Sequence, residues 1–220
     1  IYSAQNDYSK ALDYFKKSLK LDLSFFGENH PSVASGYYNI GYVYFAQGDY
    51  SKALEYFEEV LKIRLSVYGE NHSRVASVYN DIGEIYSVQG DDFKALDYFK
   101  KSLKIVLSVY GENHSQVSSI YDHIGEIYFA QKDYSKALYY FEESLKIRLS
   151  LFGENHPEVA LSYYSIGSLY IIQGDKSKAL NYYEKSLKIR LSVYGENHPL
   201  TKEIMDLINV ANSKVLQSPE

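Results

Sequence analysis

The 220-residue sequence contains no cysteine. That excludes disulfides and thiolate metal sites, and it fits a reducing, cytoplasmic compartment. Only four prolines occur, three opening a helix (Pro31, Pro157, Pro199) and one in the C-terminal tail (Pro219). No uninterrupted apolar run approaches the ~18 residues that span a bilayer, so no membrane segment is expected. Nor does a basic stretch lead into an apolar one, so no secretory signal is visible. A basic excess is missing too: the net charge of -5 argues against a nucleic-acid partner, which calls for a basic face. The chain starts at Ile1 and lacks an initiating methionine, as expected of a fragment.

What the chain does have is a repeating beat. Gly-Glu-Asn-His recurs at residues 27–30, 69–72, 111–114, 153–156 and 195–198, a constant spacing of 42. Around it a second run returns, as in Lys52-Ala53-Leu54-Glu55-Tyr56-Phe57 and Lys94-Ala95-Leu96-Asp97-Tyr98-Phe99. A fixed period of ~20–50 residues marks stacked supersecondary units, each touching mainly its neighbours. One array over residues 1–220 is therefore expected, in place of the one or two globular domains its length would suggest.

Residues 31–68 make one full unit. Pro31 suits the first turn of a helix, where its missing N–H would be unpaired anyway, with Asn29 or His30 as the cap. Val33, Tyr37, Ile40, Gly41 and Tyr44 then follow at amphipathic spacing. Gly48 ends this helix in the left-handed conformation, and Asp49 caps a second one. The second helix carries Ala53, Leu54, Phe57, Val60, Leu61 and Leu65 on one side until Gly69 stops it. Each unit is thus an antiparallel helix pair, and 73–110, 115–152 and 157–194 read the same way. Residues 1–26 form a truncated first repeat whose first helix survives only as 1–5, leaving Leu12, Phe15 and Leu19 partly uncovered. Self-association through that truncated N-terminal end is one expected consequence. Residues 199–216 form a lone capping helix with a wet face (Lys202, Glu203, Asp206, Lys214), and 217–220 are expected to fray.

A mid-helix glycine costs ~1 kcal/mol against alanine, so its return at Gly41, Gly83, Gly125 and Gly167 needs a reason. The reading here is close approach of the small residue on the second helix: Ala53, Ala95, Ala137 or Ala179. The order aromatic, Leu or Ile, Gly and Tyr, then Gly-Asp, Lys-Ala-Leu and Phe, resembles the tetratricopeptide repeat. With its longer period and the run Leu-Lys-Ile-Arg-Leu-Ser-Val-Tyr-Gly-Glu-Asn-His-Pro, it is most similar to the repeats of kinesin light chains and related scaffolds. The resemblance implies an all-α, right-handed superhelical α-solenoid of antiparallel helix pairs. One departure is informative: where such repeats place Pro, this chain has Leu65, Leu107, Leu149 and Leu191. Without that stop the second helix can run on. The eight residues beyond the usual ~34 amount to about two helical turns, one per helix.

The recurring Glu-Asn-His invites a metal or acid–base reading. Equivalent residues in neighbouring units lie further apart than one helix–helix spacing of ~8–10 Å, so five histidines form a ladder and cannot surround one ion. Loop and capping roles are expected instead. Most tyrosines, Tyr44, Tyr86, Tyr128 and Tyr170 among them, fall where a ring fills the gap between helices. Lys52, Lys94, Lys136 and Lys178 read as a solvated face. No phosphate-cradling loop, nucleophile elbow or zinc-binding helix motif is present, so neither catalysis nor a cofactor is expected.

Variation carries the functional signal, because positions that hold a repeat fold recur while positions that face a partner are free to differ. Counting from Ala34, Ala76, Ser118 and Ala160, positions two, five, nine and twelve lie roughly 130° around the first helix from the core stripe. In tetratricopeptide repeats this stripe lines a concave, peptide-receiving groove. Here it reads Ser35, Tyr38, Tyr42, Phe45; Ser77, Asn80, Glu84, Ser87; Ser119, Asp122, Glu126, Phe129; and Leu161, Tyr164, Ser168, Ile171. Its rim is Asn39, Asp81, His123 and Ser165. The candidate groove is aromatic at the N-terminal end, acidic in the middle and apolar at the C-terminal end, and no Lys or Arg lies on it. A basic or neutral protein or peptide ligand with an apolar anchor follows. The resemblance also leaves open a cargo adaptor of a microtubule motor and a regulatory arm of a larger enzyme. Kinesin light chains take acidic cargo motifs on a basic groove, however, and Asp81, Glu84, Asp122 and Glu126 would repel such a ligand.

Overall fold

The computed structural model describes residues 7–213. Among them, ten helices run in order: α1 (Tyr8–Phe26), α2 (Pro31–Ala46), α3 (Tyr50–Tyr68), α4 (Ser73–Val88), α5 (Asp92–Tyr110), α6 (Ser115–Ala130), α7 (Tyr134–Phe152), α8 (Pro157–Ile172), α9 (Lys176–Tyr194) and α10 (Pro199–Ser213). The expected first helix at 1–5 and the fraying end at 217–220 lie outside the described residues. The chain is an all-α solenoid of helix pairs, and it divides into two compact units, Ile1–Gly111 and Glu112–Glu220.

The repeating loops set the helix ends. In each Glu-Asn-His the histidine is the cap: Nδ1 of His30, His72, His114, His156 and His198 accepts the backbone N–H two residues on, at 3.1–3.2 Å. The rings of His30, His72, His156 and His198 also stack on the aromatic residue ending the preceding helix, Phe26, Tyr68, Phe152 and Tyr194, with centroids 4.3–4.5 Å apart. Asp49, Asp91, Asp133 and Asp175 cap the second helices by accepting from the N–H three residues on. Between the paired helices Gly48 donates to Phe45 and Asp49 to Tyr44, both at 2.9 Å, the reciprocal bonds of a Schellman turn. The second helices continue through the leucines that replace proline, reaching 19 residues in α3 against 16 in α2.

The mid-helix glycines are explained chiefly by a different neighbour from the expected alanine, although at Gly167 a Cβ would also lie 3.3 Å from the Ala179 carbonyl oxygen. A Cβ on Gly83 would lie 2.9 Å from the Phe99 ring, on Gly125 2.7 Å from Phe141, and on Gly167 2.7 Å from Tyr183. The residue that needs the room is therefore the ring four places beyond the alanine. In the N-terminal unit the core gathers Ile40, Ala53, Phe57, Val60, Ile63, Val78, Ile82 and Ile85. Its C-terminal counterpart gathers Ala137, Phe141, Leu145, Val159, Ala160, Ile166, Leu169 and Ile189. On α1, Leu12 and Phe15 are half-buried against this first core, while Leu19, expected to be partly uncovered, is buried.

Tyr44, Tyr86, Tyr128 and Tyr170 stack on Tyr56, Tyr98, Tyr140 and Tyr182 with centroids 5.5–5.7 Å apart. The lysines read as a solvated face have a structural task as well. Lys52, Lys94, Lys136 and Lys178 sit over those tyrosine rings at 4.7–5.0 Å while pairing with the capping aspartates. No helix among the described residues is long and apolar enough to cross a membrane.

Candidate functional site

The variable stripe lies on the first helices of the repeats, whose opposite faces are committed to the core. In the N-terminal unit Tyr42 and Asn39 of α2 are exposed, with Tyr42 showing 55% of its surface. Tyr38 and Phe45 are half-buried: Tyr38 tilts against Phe57 at 5.4 Å and Phe45 against Tyr50 at 5.9 Å. On α4, Asn80, Asp81 and Glu84 are all half-buried. Asn80 Nδ2 donates to Glu84 at 2.6 Å. Asp81 of α4 interacts with Tyr38 of α2, and each raises or lowers the other's titration. Burial, then repulsion from Glu84, raises the Asp81 carboxyl to about 7 against the pull of Tyr38 and Arg64. Burial raises Glu84 as well.

In the C-terminal unit the stripe is arranged differently. Asp122 and His123 of α6 are half-buried, Glu126 is exposed and Phe129 leans on Tyr134 at 6.0 Å. Burial, followed by the nearby Arg148 charge, lowers the His123 pKa. On α8, Tyr164 donates to Glu203 of α10 at 3.0 Å. Ser168 accepts from Tyr183 at 3.2 Å, and Ile171 is exposed.

Arginines reach this stripe from the second helices, which corrects the expectation that it has no cation. Arg148 of α7 is 4% exposed, with its guanidinium 2.7 Å from Asp122 and 2.9 Å from Glu158, and it donates to Ser162 at 2.8 Å. Burial raises the Asp122 carboxyl to about 6 even though Arg148 opposes the shift. Arg64 of α3 lies over the Tyr38 ring at 5.3 Å and donates to the Arg74 carbonyl at 2.8 Å. Arg190 of α9 lies over Tyr164 at 4.9 Å and donates to the Leu200 carbonyl at 2.6 Å. Each long side chain thus spans from position five of its own repeat to the first turn of the next first helix. The sequence held one signal for them: Lys-Ile-Arg at 62–64, 146–148 and 188–190 becomes Lys-Ile-Val at 104–106. The acidic middle is therefore uneven. Asp122 is neutralised in place, whereas Asp81 and Glu84 face each other with Arg64 committed to a carbonyl and a ring.

Among the described residues no group of three or more His, Cys, Asp and Glu is placed to hold a metal ion. A family model described as tetratricopeptide repeat matches residues 1–66, 32–105, 74–150 and 118–192. Among solved structures, BtubC (BKLC) from P. vanneervenii has a TM-score of 0.79 and 25% identity, over 90% of this chain and 78% of that one. The nearly identical TPR-like repeats of a Podosopora anserina kinesin-light-chain-type protein reach 0.74 at 17% identity, over 87% of this chain and 90% of that one. MamA reaches 0.60 at 19% identity, over 87% of this chain and 93% of that one, and at these two lower identities the likeness is one of fold alone. No relative among the curated proteins matches.

Proposed function

The chain belongs to the tetratricopeptide repeat family, and from that premise we propose that it is a non-enzymatic scaffold holding an extended peptide or a helix along the stripe of its first helices. Repeats of this family imply protein–protein interaction. The stripe supports the finer reading because it is where the repeats differ: Tyr38, Asn80, Asp122 and Tyr164 occupy one position, while the core glycines and the capping histidines do not change.

The observation that carries the choice of ligand is the Asp81–Glu84 pair. Two half-buried carboxyl groups with raised pKa values lie beside the exposed Tyr42 repeat. A cationic side chain brought to them would restore full ionisation, and an adjoining apolar residue would cover aromatic surface. A basic or neutral segment with an aromatic or aliphatic anchor fits this arrangement. An acidic cargo motif of the kinesin-light-chain kind would meet Asp81, Glu84 and Glu126 as repulsion. Fluorescence anisotropy with two labelled peptides of identical apolar residues, one with arginines and one with glutamates, tests the reading. The arginine peptide is expected to bind more tightly by about tenfold, a difference that shrinks with salt. Preference for the glutamate peptide would refute it.

A further inference from the structure

The repeats serve as controls for one another at the place where a first helix ends over its second helix. In the first repeat this place is filled by two rings, Phe45 against Tyr50 at 5.9 Å. In the third it is filled by Phe129 against Tyr134 at 6.0 Å, edge on. The second repeat has Ser87 and Asp92 at these two positions and the fourth has Ile171 and Lys176, so both rings are gone in each, and only in the fourth is the replacement on the first helix apolar. A cavity of about 200 Å³ opens there, lined by Ile171, Lys176 and Tyr183 together with Leu207, Val210 and Ala211 of α10. The α10 lining is itself a departure, since Leu207 and Val210 stand where α8 presents Ser165 and Ser168 one repeat earlier. Ile171 and Val210 remain 37% and 52% exposed, so the apolar wall is reachable from solvent.

We propose that this notch between α8, α9 and α10 receives one aromatic side chain of the partner segment, an anchor at the C-terminal end of the stripe. This rests on the peptide-binding reading and specifies the residue type that reading left open. The fold itself shows what the place accommodates, because in two of the other repeats it holds a phenyl ring against a phenol. Volume agrees: an apolar cavity of ~150 Å³ already takes benzene. Charge selects further, since Lys176 at the rim attracts the electron-rich face of a ring and disfavours a cationic side chain at this spot.

The test uses the whole chain with labelled isoleucine and valine methyl groups, titrated with N-acetyl-phenylalaninamide and N-acetyl-leucinamide. The aromatic amide is expected to move the Ile171 and Val210 methyl resonances by ring current and to bind about tenfold more tightly than the leucine amide. The double variant Ile171→Phe, Lys176→Tyr rebuilds the ring pair of the first and third repeats. It is expected to keep its melting temperature and lose that response. Equal binding of the two amides, no movement with either, or an undiminished response in the double variant would overturn the proposal. If the arginine peptide binds while the aromatic amide does not, the anchor alone is wrong. If the amide binds the notch and neither peptide binds, the peptide reading fails and the notch remains a ring-binding site.

Discussion

Gly83 has no room to grow. A Cβ there would lie 2.9 Å from two carbons of the Phe99 ring, which is buried and cannot swing away. Gly83→Leu is therefore expected to destabilise the protein by at least about 1–3 kcal/mol, read from urea unfolding. An unchanged midpoint would mean the glycine is incidental. Asp81 makes a different residue-level prediction. Its carboxyl is raised from 3.8 to about 7, so the native state holds this proton more tightly than the unfolded chain does. Its contribution to stability is largest at low pH and declines as pH rises between those two values, the opposite of the usual salt-bridged aspartate. Asp81→Asn keeps the size and shape of the side chain and removes the titration. It is expected to flatten that pH slope and to raise stability at pH 8 by of order 1–3 kcal/mol. Denaturant melts at pH 5 and pH 8 that moved in parallel for both proteins would contradict this.

At the scale of helices, the turn between each pair needs a left-handed residue, and glycine supplies it at Gly48, Gly90 and Gly174. The third repeat has Lys132 there instead, at φ +63°, a strained choice for a side chain with a Cβ. Lys132→Gly is expected to raise stability by up to about 1 kcal/mol, offset in part by the greater freedom of glycine in the unfolded chain. A thermal melt of the variant checks the sign. The second helices also tie neighbouring first helices together through their arginines. Arg148→Leu would leave Asp122 half-buried without its counter-charge and is expected to cost about 3 kcal/mol. Adding Asp122→Asn should recover most of that loss, and no recovery would show that Arg148 acts through packing alone.

Helix ends are legible in the sequence because capping is local: an aspartate, a glycine and a proline each act within one turn. The choice between Asn29 and His30 is not, since it depends on which side chain folds back onto the Ser32 N–H. The glycine contact is half legible. Periodicity identifies the face on which Gly41 lies, but it does not say that Phe57, one turn beyond Ala53, lies across it. The arginines escape notice for a related reason. A helical wheel assigns each residue to its own helix, whereas Arg64, Arg148 and Arg190 act at the far end of a long side chain on the helix next door. The same blindness makes the acidic middle of the stripe look uniform.

For the molecule as a whole, constancy and variation divide the labour. Constant residues make caps, ring stacks and helix contacts in every repeat, and the 42-residue period makes them readable from the order of amino acids alone. The stripe that varies is released from that duty only in part, because Tyr38, Phe45, Phe129 and Tyr164 bury one side against the second helix while showing the other. The claim on which the account turns is that this stripe is the binding face. Backbone amide chemical-shift mapping of the labelled chain with the arginine peptide tests it most directly. The account predicts that perturbed amides cluster on α2, α4, α6 and α8 around Tyr42, Glu84, Glu126 and Ser168, extending to Ile171. Perturbations confined to the lysine- and tyrosine-bearing faces of α3, α5, α7 and α9 would contradict it.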